Sequence, residues 1–269
     1  MVEDKLAGSE QQFENKSDKF LQIKKVIGGY TKSLGLNAGD IIIGLDGDLF
    51  VGDSEQFKDY FEIDEVEDDE HVAHEMVPIL TIKREEVIFN VFCYKRIICK
   101  FEQIENPFPQ PNEKLQQVLE NAKSSELSEY LIYYDNKKNA HLLLRSKSLL
   151  AMVVPPFWFL NQRMPEAMLA SILGGLATIS VHWILGALYY AILCLYVGRE
   201  QLNLAINFMS YKRLLYLQPI ACSNEFEAQS TALAIDSELY FQRPVEGLVQ
   251  NKKRRKKKKT PVGTGAIVS

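Results

Sequence analysis

The sequence predicts an α+β chain in which a small β-rich domain precedes a helical membrane hairpin and an amphipathic helix. Three observations carry this. Residues 20–105 hold short apolar runs rich in β-branched side chains, punctuated by Gly- and acid-containing turns. From Ala167 to Gly198, 32 residues pass without an Asp, Glu, Lys or Arg. Charge is polarised: eleven acids face the single base Lys58 between Asp53 and Glu75, and Lys252–Lys259 are eight consecutive bases. The formal net charge over 269 residues is −4, and without those eight bases it would be −12. The mild balance is a cancellation, and such asymmetry points to different surroundings for the two ends.

Residues 1–19 are polar and acidic, without the apolar core of a signal peptide or the Arg-rich pattern of a transit peptide, and read as a disordered N-terminus. Residues 20–105 form the β-rich domain. Phe20–Ile27 is strand-like, Gly28-Gly29 punctuates it, and Leu36–Asp40 turns into Ile41-Ile42-Ile43. Asp46-Gly47 is a hairpin-type turn signal. VPILTIKR and VIFNVFCYKRIICKFE read as strands joined at Glu85-Glu86. Cys93, Cys99, Cys194 and Cys222 have no CxxC or metal-ligand spacing and read as reduced thiols.

The stretch GLNAGDIIIGLDG (Gly35 to Gly47), with Ser33 before it and LTIKRE (Leu80 to Glu85) after it, resembles a PDZ domain. Asp46 stands where that family most often has Asn. The resemblance implies a fold that binds peptide C-termini by strand addition, with a glycine-rich loop for the carboxylate. Asn15–Lys19 occupies the place of that loop without its glycines, so a partner's surface or internal strand is the alternative ligand. The residues expected to border the groove are Phe20, Leu21, Gln22, Ile23 and Val26, with Tyr30.

Residues 106–130 read as a stiff linker marked by Pro107, Pro109 and Pro111, followed by a polar helix. Residues 131–240 read as a membrane domain whose hairpin spans about 165–199. As one helix the uncharged run would be about 48 Å long, against a hydrocarbon core of about 30 Å. As two helices of about 15–17 residues, each arm is short. A two-helix hairpin broken at Ser180–Trp183 is expected over one long tilted helix or a buried soluble helix pair. Arg145, Lys147 and Arg163 precede it and Arg199, Lys212 and Arg213 follow it, which puts both termini on the cytoplasmic or equivalent side. Ala170, Gly174 and Thr178 form a small-residue row suited to close packing within the hairpin. Leu149–Leu160, interrupted by Pro155-Pro156, is expected to lie at the interface with Trp158 at headgroup depth. Glu200–Leu217 has amphipathic spacing through Leu202, Ile206 and Met209 and is expected on the membrane surface.

The order PPFWFL, Arg163, hairpin, GREQLNLA, KRLLYLQPIACSNEFEA is similar to a bacterial inner-membrane domain family of unknown function. The likeness covers about residues 130–235 and implies two short membrane helices but no catalytic residue. The placement expected is integral to a bacterial or organelle inner membrane.

Residues 241–269 read as a disordered tail. Lys252, Lys253, Arg254, Arg255, Lys256, Lys257, Lys258 and Lys259 would attract anionic lipid at about 1 kcal/mol per base. Lipid is favoured over nucleic acid and over an acidic partner such as the chain's own Glu62–Glu75 run because the tail closely follows the hairpin. His71 and His74 lie i, i+3 amid acids but match no zinc motif, and a solvated acidic loop is the simpler reading. There is no G-x-S-x-G, P-loop or G-x-G-x-x-G. The expectation is a non-enzymatic, membrane-anchored scaffold that recruits partner proteins through the PDZ-like domain, without a cofactor. An accessory subunit of a larger membrane complex and a regulatory component of a membrane protease system are the alternatives.

Overall fold

The apolar run that opens the β-rich segment becomes β1 (Phe20–Val26). The computed structural model describes residues 19–61, 77–108, 113–123 and 127–250. β1 is followed by α1 (Gly29–Ser33), β2 (Ile41–Leu45), β3 (Asp48–Leu49), α2 (Ser54–Tyr60), β4 (Ile79–Arg84), β5 (Val87–Phe92) and β6 (Cys99–Ile104). Asp46 (φ 49°) and Gly47 (φ 80°) turn β2 into β3 with both residues left-handed, as a tight hairpin requires. Gly47 is also needed for space, because an added Cβ would come within 2.6 Å of the Leu119 carbonyl oxygen.

The second half supplies α3 (Glu113–Ala122), β7 (Ser128–Tyr134), β8 (Asn139–Leu144), α4 (Leu149–Val153), α5 (Pro155–Asn161), α6 (Pro165–Val181), α7 (Trp183–Tyr211), β9 (Leu215–Cys222), α8 (Glu225–Ile235) and β10 (Tyr240–Phe241). The protein is α+β. Both halves share one sheet, in the order β10-β8-β7-β9-β5-β4-β2-β1-β6, with β3 paired to β2. The polar helix expected after the Pro-rich stretch is α3, and it lies on the sheet. Leu115 packs with Phe20 and Ile43, and the Asn90 side-chain amide donates to the Val118 carbonyl at 3.3 Å.

Alternation along β7 shows how the layers form. Tyr130 and Ile132 face the same core as Ala228 and Ala232 of α8. Leu131 and Tyr133 face the opposite core, with Ala151, Trp158, Phe159, Met164, Val197, Ala205 and Met209. Where the halves meet, Arg84 binds Asp40 through two hydrogen bonds of 2.8 and 2.7 Å, the Gly35 carbonyl at 2.6 Å and the Gln218 amide oxygen of β9 at 2.8 Å. Asp40 is buried, so this forked guanidinium pairing holds a charge that would be costly alone.

The expected hairpin exists as α6 and α7, broken at His182, whose Nδ1 caps α7 by accepting from the Ile184 amide at 3.2 Å. Gly174 lies under Tyr189 and Gly186 under Ile179, so the small-residue row packs the hairpin on itself. Its expected membrane placement is overturned: among the described residues no helix is long and apolar enough to cross a membrane. The reason is length. α6 has 17 residues, about 26 Å, and the uncharged part of α7 stops at Gly198 before Arg199 and Glu200, after about 24 Å, against about 30 Å of hydrocarbon. An integral inner-membrane position, with both termini on one side of it, falls with the crossing helices.

Two further expectations change. Pro155 starts a new helix, and Trp158 (2 % exposed) and Phe159, expected at headgroup depth, sit in the core while Phe157 is exposed. Glu200–Leu217 is not a free amphipathic helix: α7 bends at Glu200, buries Gln201, Ala205 and Met209, ends at Tyr211, and Leu215 begins β9.

Candidate interaction surfaces

The first surface is the strand expected to border a groove. β1 is paired on both edges: Leu21 and Gln22 oppose Ile42 and Ile41 of β2, and Phe20 to Val26 run against Ile104 to Cys99 of β6. Phe20, Leu21 and Ile23 are at most 1 % exposed, and Gln22 and Val26 are half-buried. Phe101 of β6 meets Phe57 of α2 with ring centroids 5.2 Å apart. A strand from outside could add to β1 only if β6 left. The Tyr30 hydroxyl accepts from the Tyr94 amide at 2.7 Å, and burial pushes its pKa up. Tyr94 in turn donates to the buried Glu129 at 2.7 Å, with the Arg145 guanidinium over its ring. The six residues thus join the core or its polar edge rather than an open groove.

The second surface is the hairpin, where the burial pattern reverses. Fourteen large apolar residues between Leu169 and Tyr196 are exposed, from 41 % for Ile172 to 75 % for Val181. The hairpin is anchored at its base only. Tyr190 donates to the Val153 carbonyl at 2.6 Å, the Ser148 amide donates to Gln201 at 2.7 Å, and Lys212 pairs with Glu166 at 2.9 Å. Gly198 lets α4 approach, since a Cβ there would lie 2.5 Å from Met152 Cγ. Beyond this base the outer turns of α6 and α7 project without cover from the described residues.

The third is a half-open concavity of about 400 Å³ between the end of α7, α5, α8 and the β8 edge. Leu142, Phe208, Met209 and Phe241 give it apolar walls, and Arg163, Lys212 and Arg243 lie around it. Arg163 occupies the left-handed position that ends α5 (φ 59°). Burial, and then the Arg163 charge, lower the pKa of His141 in its wall.

The polybasic residues 252–259, the acidic run from 62 to 75 and the His71–His74 pair lie outside the described residues. Among the described residues no three His, Cys, Asp or Glu side chains are grouped to hold a metal ion. All four cysteines are free thiols, with Cys93 and Cys222 buried. The outer hairpin, expected to cross a membrane, is too short to do so and is left uncovered by the sheet. The shortness of each arm against the bilayer is already visible in the sequence. Comparison with protein-family models, curated proteins and solved structures gives no match. The class stands on the fold: an α+β protein with one shared sheet and a projecting apolar hairpin.

Proposed function

We propose that this chain is a non-enzymatic assembly protein, with the sheet as a rigid platform and α6–α7 as the element that docks on another protein. The observation that carries this is the exposure of fourteen large apolar side chains on a segment without a charged residue. Contiguous apolar patches beyond a few hundred Å² mark interaction sites on soluble proteins. An uncharged apolar face resembles the permanent interface of a subunit, a core cut in half, more than the polar contact of a transient adaptor. That favours the accessory-subunit reading over recruitment of many partners. Residues 20–105 enter the proposal as a PDZ-like platform whose groove is filled from within by β6, with Phe101 against Phe57 in support.

Native mass spectrometry after gentle extraction tests the reading. The full chain is expected in one stoichiometric assembly, and the Leu173→Glu, Leu188→Glu double variant is expected to run alone. Wild-type chain found only as a monomer would overturn the docking role.

A further inference from the structure

The hairpin has two flanks, and α4 covers the lower part of one of them, leaving Ile172 and Leu176 on that flank exposed. Tyr190, Cys194 and Gly198 turn towards α4, where Met152 and Val153 receive them. Turning 100° per residue from the mutual contacts at Gly174 and Gly186, the opposite flank presents two rows. On α6 it carries Ala170, Leu173, Ala177 and Val181, and on α7 Leu185, Leu188, Ile192 and Leu195. The α7 row steps by three, four and three residues, the spacing of a helix-packing seam. Its four side chains are between 46 % and 70 % exposed.

Resting on the docking reading, we propose that this flank packs against the same flank of a second copy, the two hairpins closing a four-helix bundle. Three observations fit a second copy. First, the rows are complementary: α6 is partly small (Ala170, Ala177) and α7 is large. A two-fold axis parallel to the helices sets α6 of one copy on α7 of the other, with every neighbouring pair antiparallel, as in short-looped bundles. Second, the flank carries no charge, so like meets like without repulsion, although the chain as a whole carries −4. Third, the exposed fractions leave about 600 Å² per copy to bury, or about 1,200 Å² in total, which reaches the lower limit of stable interfaces. The two helices available in a second copy also match this one in length.

Sedimentation velocity of the purified full chain at micromolar concentration tests the proposal, with two variants. Wild type is expected to run as a dimer. Leu188→Glu, on the docking flank, is expected to be monomeric, its association weakened at least about 30-fold. Ile172→Glu, equally apolar in origin but on the α4 flank, is expected to remain dimeric. Circular dichroism of each variant should match wild type, because both side chains are exposed. A monomeric wild type, or dissociation by Ile172→Glu with Leu188→Glu still dimeric, overturns the proposal. If purified wild type is monomeric while the native assembly persists and is lost in the Leu173→Glu, Leu188→Glu chain, the second copy is refuted and the docking reading stands. If both assemblies are absent, both fall.

Discussion

β1 and the outer half of α7 both carry apolar side chains that demand burial, and the structure answers them in opposite ways. β1 was the strand expected to meet a partner, yet it is enclosed on both edges by β2 and β6 and on both faces by core. The outer half of α7 was expected to disappear into lipid, yet it is too short to cross and stands uncovered. Apolar sequence reports a demand for burial, and whether the same chain meets that demand depends on residues far away. For β1 the demand is met by residues 99–104, for Trp158 by β7, and for α7 only below Val197.

Energetics should separate the two regions. Leu21→Ala removes a fully buried side chain and is expected to cost roughly 4 kcal/mol in urea denaturation. Ile172→Ala, exposed on the α4 flank, should cost about 0.5 kcal/mol or less. Equal losses at the two sites would erase the distinction.

Arg84→Ala probes the joint between the halves. It leaves Asp40 buried without its cation and frees Gln218, so a loss of roughly 3 kcal/mol is expected. The transition should remain single, because one sheet carries both halves. Two resolved transitions in the wild type would contradict a shared sheet.

A smaller effect concerns pH. His141 is held below its usual value of about 6.5 by burial and then by Arg163, so the fold favours the neutral imidazole. Its contribution is therefore complete above the unfolded value and lost as pH falls through the lower folded value. The His141→Gln chain should lose less stability than wild type between pH 7.5 and pH 5. Parallel losses would remove His141 from the account.

Much of the fold was legible locally. The runs at Phe20–Val26 and Ile41–Leu45, the Asp46-Gly47 turn and the paired strands around Glu85-Glu86 all announce themselves within a few residues. So does the break at His182, where polar groups interrupt an apolar run. The β9 strand was not legible. Leu214 and Leu217 continue the helical spacing of α7, and the helix is stopped by Arg213 in the left-handed conformation (φ 56°) where glycine is usual. Nor was the joining of β5 to β9, because Asn90 and Ala221 meet across 131 residues with no local signal of pairing. The closing of β1 was not legible either, because β6, which pairs with it, looks in sequence like any other short strand.

Residue-resolved carbene footprinting of the full chain in its native assembly, compared with the Leu173→Glu, Leu188→Glu chain, reads the contrast directly. The docking account predicts that Leu185, Ile192 and Leu195 are protected in the wild type and labelled in the variant, while β1 is protected in both. Equal labelling of the α7 row in the two chains would contradict it.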